Sequence, residues 1–222
     1  DNISLIAGDR LVELQSSFIS SLTANKMPGI NTYTSIVQWL KDLLIKLEDY
    51  DIVFIDTNPS FSIYTQIALA ATEKLIIPVM ADDSSKPALS NVLCLVYGYN
   101  IPSQLYSNYS FNYEMQEAKL PLPQIHIIVK NRITQYMGTA AAYKGVLSSI
   151  DNEIKNMMTK YPQYFTSSDV IMEVRDFQTS GVAAFAEAKS FSQLESDKRT
   201  RNIGGQTVQL DVNQIQNNHQ NI

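Results

Sequence analysis

Residues 51 to 60 read Asp51-Ile52-Val53-Phe54-Ile55-Asp56-Thr57-Asn58-Pro59-Ser60, an apolar run of four residues that stops at an acid. A run with no polar interruption has no solvent-facing side. As a strand it would be buried on both faces, as in a parallel sheet covered by helices. The ligand crevice of such sheets lies at the carboxyl ends of the strands, which is where this run places Asp56. Pro59 and Ser60 then turn the chain toward a helix. Two roles fit Asp56: a carboxylate that holds magnesium, directly or through water, beside a nucleotide phosphate, or a strand-end acid that caps the next helix.

Similar punctuation recurs along the chain. Ile3-Ser4-Leu5-Ile6-Ala7-Gly8 reads as a strand breaking at a glycine, and its position at the very start makes the chain look cut from something longer. Residues 9–25 and 32–48 read as helices; in the second, Ile36, Leu40, Leu43, Leu44 and Leu47 form one apolar face. After the strand at 52–56 come a helix over 60–71, a strand at 75–79 and a helix near 86–98. Ile125-His126-Ile127-Ile128-Val129 is the next strand, ending at Lys130-Asn131-Arg132. A helix over 139–158, a short strand at 170–174 and a helix around 181–189 complete the series. Strands alternating with helices imply crossover connections and a mostly parallel sheet.

Two segments break the rhythm. Residues 99–123, rich in Tyr and Pro, form a connection long enough to be either a functional surface or a structural flap. The polar tail 203–222 is rich in Gln and Asn; Gln206 to Leu210 has the pattern of an edge strand, and disorder is expected beyond about 213. The expected organisation is one partial domain over 1–202 followed by the tail.

Composition narrows the function classes. A hydrophobic content of 45% and a charged content of 18% are those of an ordinary globular protein. No apolar run approaches the length of a membrane span. The start carries no secretory signal pattern, and the cytoplasm is the default location. The single cysteine, Cys94, rules out an internal disulfide and a cysteine-based zinc cluster. A net charge of −5 gives no global attraction to nucleic acid, so DNA contact would need a local basic patch.

Taken in order, these segments resemble the ParA/MinD group of deviant Walker ATPases, which includes the Soj-like partition proteins. The nearest likeness is Tyr50 to Ser60, where the family has an apolar strand and then Asp-Thr-Pro-Pro-Ser; Asn58 replaces the first proline. Ala68-Leu69-Ala70-Ala71-Thr72-Glu73 followed by Leu75-Ile76-Ile77-Pro78-Val79 resembles the family's continuation, and Ser85 falls where a serine often opens the next helix. Leu5-Ile6-Ala7-Gly8-Asp9 and Ile127-Ile128-Val129-Lys130-Asn131-Arg132 resemble an earlier and a later strand end. The likeness is good over residues 3–98, fair over 125–190 and absent from 99–123.

The resemblance implies a three-layer, P-loop NTPase-like, mostly parallel α/β sheet with helices on both faces and its amino-terminal part missing. It implies ATP and Mg²⁺ as cofactors of the intact protein, a homodimer, a centromere-binding ParB-like partner and non-specific DNA. Asp56 would be the catalytic acid and hold the magnesium-bound water, while Thr57, Asn58 and Pro59 would form the switch that senses the γ-phosphate. Asn131 would contact adenine, or else cap the turn after its strand; Arg132 would lie along the base or be solvated. Arg175 and Asp176 fall at a second base-flanking loop. Lys198, Arg199 and Arg201 would meet DNA phosphates, or be a solvated helix end. His126 is read as a structural histidine.

One departure outweighs the rest. None of the eight glycines heads a Gly-x4-Gly-Lys-[Ser/Thr] loop. Without that loop there is no backbone cradle for phosphate and no lysine on it. The expectation is therefore the carboxyl-terminal part of a partition ATPase, unable alone to bind ATP tightly or hydrolyse it. The alternative is a non-enzymatic pseudo-ATPase or interaction module with the same fold. A receiver domain fails because no acidic pair follows the first strand, and a dinucleotide-binding dehydrogenase fails for want of Gly-x-Gly-x-x-Gly.

Overall fold

A computed structural model describes residues 3–9, 11–24, 31–47, 49–57, 60–80, 85–107, 110–133, 141–190, 193–194 and 200–209. Its centre is a parallel three-stranded sheet in the order β1-β2-β3, with β1 at Lys74–Val79, β2 at Gln124–Ile133 and β3 at Ile171–Arg175. Helix α4 (Ser85–Tyr97) follows β1, and α7 (Ala141–Lys160) links β2 to β3. The strand–helix alternation read from the sequence is present in this region, and the architecture is α/β.

Periodicity explains the packing. The buried positions of α4 include Leu89, Leu93 and Val96, and those of α7 include Ile150, Ile154 and Met157. Both sets follow spacings of four and three, which align side chains along one helix face. They meet Ile125 and Ile128 of β2 in the main core. Helices α1 (Val12–Ala24), α2 (Thr32–Leu44) and α3 (Ile63–Ala71) pack on one another, and Val37 of α2 and Ile63 and Ile67 of α3 belong to the same core. Asn31 caps α2 by accepting from the Thr34 N–H at 3.1 Å, and Tyr33 donates across to Gln66 Oε1 on α3 at 2.8 Å.

The connection 99–123 is built into the fold. Gly98 adopts φ +73°, and its N–H donates to the Cys94 carbonyl at 2.9 Å, ending α4 in the left-handed turn that glycine favours. Two short helices follow, α5 (Gln104–Ser107) and α6 (Phe111–Glu117), the second capped by Ser110. Phe111 and Met115 lie four residues apart on α6 and are buried in the main core. An aromatic cluster fastens the start of the connection. Tyr97 donates to the Pro123 carbonyl at 2.9 Å and stacks on Tyr164, while Tyr99 meets Tyr161 edge-on.

Two expected strands do not form. Residues 3–8 and 52–56 pair with no strand among the described residues. Burial of the second on both faces is overturned: Phe54 is 81% exposed, and Ile52 and Val53 are exposed too. An apolar run supplies the tendency to extend, but a strand also needs a neighbouring edge to satisfy its N–H and C=O groups. Among the described residues neither segment has one. Tyr50, just ahead of the second segment, donates from its Oη to Ser4 Oγ of the first at 2.7 Å.

The far end carries a small unit of its own. Helix α8 (Gln178–Ala186) contributes Ala183 and Ala184 to a second core with Leu194 and Ile203. Strands β4 (Thr200–Ile203) and β5 (Gln206–Gln209) form an antiparallel hairpin turned by Gly204 and Gly205, both at positive φ. Two successive positive φ values are what a two-residue hairpin turn requires. Of the extended pattern at 206–210, residues 206–209 form a strand of this hairpin, which among the described residues joins no edge of the main sheet. The expected boundary between 202 and 203 falls inside β4, and residues 210–222 lie outside the described residues.

Candidate functional site

The carboxyl ends of β2 and β3 bring four of the expected site residues together. Lys130 pairs in register with Glu173, but the next pair is Ile133 with Arg175, so β2 carries one extra residue between them. Asn131 and Arg132 therefore stand on a β-bulge, a device that redirects side chains at sheet ends and beside binding sites. Arg132 takes φ +60°. That conformation costs a non-glycine residue about 1–2 kcal/mol. It is supported by Asn131 Oδ1, which accepts from the Arg132 backbone N–H at 2.9 Å.

Two contacts tie the bulge to Asp176, the residue that follows β3. The Asp176 N–H donates to the Ile133 carbonyl at 3.1 Å, and the Arg132 guanidinium lies 3.8 Å from Asp176 Oδ2. Arg132 and Arg175 are exposed, whereas Asn131 and Asp176 are half-buried. A ligand at this strand end would find two exposed arginines and a half-buried amide close together in the chain fold. The second lone pair of Asn131 Oδ1 and its Nδ2 remain suited to a base edge, which offers both a donor and an acceptor.

Beneath the bulge lies a contact that sequence reasoning missed. The Lys130 side chain is 5% exposed, and its Nζ sits 2.6 Å from Asp151 Oδ1 on α7 and 3.5 Å from Glu173 Oε1 on β3. The approach to Asp151 is a charge contact rather than an aligned hydrogen bond. A lysine ending an apolar strand was the only signal in the sequence, and it does not reveal which carboxylates will meet it.

The residues expected on the phosphate side lie on a different segment. Asp56 and Thr57 are exposed on the unpaired segment 52–57, and Asn58 and Pro59 lie outside the described residues. Magnesium beside a nucleotide is commonly held by one or two carboxylates together with the phosphates, the remaining ligands being water. One exposed carboxylate fits a water-mediated role of that kind and falls short of a complete protein cage. Among the described residues, no group of three or more His, Cys, Asp or Glu could hold a metal ion.

Of the expected DNA contacts, Lys198 and Arg199 lie outside the described residues. Arg201 is buried, with its Nε 3.1 Å from Glu187 Oε1. His126 is half-buried with Nδ1 2.9 Å from Thr166 Oγ1, and Cys94 is a half-buried free thiol whose pKa burial pushes up. No helix among the described residues is long and apolar enough to cross a membrane.

Residues 5–99 match the model of a family described as an AAA domain. The match supports a P-loop, ParA-like relationship for this stretch; domains of that kind in general bind nucleotide and magnesium. It includes Asp56 and Thr57 and ends before the bulge at Asn131. No curated protein and no solved structure matches the chain.

Proposed function

We propose that this chain is the carboxyl-terminal part of a ParA-type ATPase, carrying two sides of a nucleotide site whose phosphate-binding loop lies outside the sequence. The observation that carries this reading is the convergence of Asn131, Arg132, Arg175 and Asp176 where β2 and β3 end. That is the position at which open parallel sheets bind ligands. Asn131 would read the base, with Arg132 and Arg175 covering it. Asp56 would orient a magnesium-bound water, and Thr57 with Pro59 would respond to the γ-phosphate. Magnesium, when bound with ATP, neutralises charge on the transferring phosphoryl group.

The unpaired apolar segments support an incomplete sheet. Among the described residues β1 pairs along one edge only, and 3–8 and 52–56 pair with nothing. Exposed apolar edges of this kind are normally covered or disrupted. A further strand supplied from outside this sequence, completing a three-layer sheet with helices on both faces, would give them neighbours. In this reading the intact protein dimerises on ATP, binds DNA without sequence preference, works with a ParB-like partner and partitions plasmid or chromosomal DNA in the cytoplasm. With Arg201 held by Glu187, DNA contact would fall mainly to Lys198 and Arg199.

The absence of the Gly-x4-Gly-Lys pattern favours a second reading, a pseudo-ATPase or interaction module. Photo-crosslinking the full-length protein with 8-azido-ATP separates the two. Labelling of the peptide containing Asn131–Ile133 or Arg175–Asp176 is expected. Labelling confined elsewhere, or none at all, would reject the nucleotide site.

A further inference from the structure

We infer that Lys130 is a positioning residue that fixes where the β2 bulge forms, and so which way Asn131 faces. The inference rests on the reading of Asn131 as the base contact, while its structural half stands independently of nucleotide. Lys130 is the last β2 residue paired in register before the extra residue. Its buried ammonium meets a carboxylate on each of two different elements, Asp151 of α7 and Glu173 of β3.

The bulge needs such an anchor. Side chains alternate faces along a strand, so a slip of one residue turns each of them to the opposite side. With Ile133 held opposite Arg175, loss of the bulge would pair residue 132 with 174, residue 131 with 173 and Lys130 with 172. The left-handed turn at Arg132 would be relieved, and Asn131 would leave its present relation to Arg175 and Asp176. Relaxation by that slip requires Lys130 to shift against Glu173, and the second contact, to Asp151, holds it in place from the helix side.

The two halves can be tested separately. Hydrogen exchange on the chain carrying Lys130→Met is expected to speed the Arg132 and Ile133 amides by roughly tenfold or more, with Ile125 to Val129 unchanged, as in a local opening. Lys130→Arg, which keeps the charge, is expected to restore most of the protection. If Lys130→Met fails to fold, Lys130→Met combined with Asp151→Leu removes both buried charges and is read in the same way. Unchanged protection at Arg132, or acceleration spread evenly over β2, overturns the positioning role. In the full-length protein, Lys130→Met and Asn131→Ala are then expected to weaken ATP binding to a similar degree. Loss with Asn131→Ala alone overturns the positioning role. Exchange that changes as expected while neither variant affects binding leaves the positioning intact and defeats the base contact instead.

Discussion

The ring of Tyr97 stacks on that of Tyr164 with centroids 4.6 Å apart, and its hydroxyl donates to the carbonyl of Pro123. One side chain at the end of α4 thereby ties both ends of the 99–123 connection and the turn after α7 to the same point. The connection is held at the end of the sheet where β2 begins, away from the bulge where it ends.

Tyr97→Phe keeps the stacked ring and removes the donor to a buried carbonyl, which we expect to cost about 1–2 kcal/mol. Burial first, and then the neighbouring Tyr164, raise the Tyr97 pKa; burial and then Glu114 raise that of Tyr33. A pKa raised on folding gives stability that is complete below the unfolded value of 10.0 and is lost as pH climbs above it. Urea midpoints should therefore fall above pH 10 in the wild type, and less steeply in Tyr97→Phe. Parallel curves would show that this phenol does not govern alkaline unfolding.

Met115 on α6 is fully buried. If residues 99–123 belong to the core, Met115→Ala should lower unfolding free energy by about 2–5 kcal/mol, as large-to-small core changes do. A change below about 0.5 kcal/mol, typical of surface sites, would identify the connection as a flap laid on an already complete core.

How much of this was legible in the sequence differs from element to element, for physical reasons. The strands at 74–79, 124–133 and 171–175 and the helices between them were readable because they pack on one another, and their apolar periods record that packing. The runs at 3–8 and 52–56 carry the same composition but lack an adjacent edge among the described residues, and composition does not report a neighbour. The core role of Phe111 and Met115 was not read from the sequence, because the surrounding tyrosines and prolines mask their four-residue spacing. At the site, Asn131 and Arg132 were found as a strand end. The extra residue that turns them, and the two carboxylates on Lys130, depend on register and on α7, which no local pattern encodes.

Lys198 and Arg199 can be tested against Arg201. Replacing the first two with Ala in the full-length protein should weaken binding to all DNA sequences alike. It should also reduce the slope of log affinity against log salt by about 2, one unit for each lost phosphate contact. Arg201→Ala should instead loosen the hairpin through loss of its Glu187 partner, with little change in slope. A larger slope change from Arg201 than from the other pair would reverse the assignment.

The 222-residue chain by itself should show no ATP binding by titration calorimetry, since it contains no phosphate-cradling loop. A dissociation constant in the micromolar range would mean that the phosphate site has been placed on the wrong residues.

The decisive measurement is ATP turnover by the full-length protein with and without Asp56→Ala. We predict slow, magnesium-dependent hydrolysis in the wild type and a fall of about 100-fold or more in the variant, the size of effect expected when one preorganised electrostatic contact is removed. Equal turnover in the two proteins would contradict the assignment of Asp56 to the magnesium side of a nucleotide site.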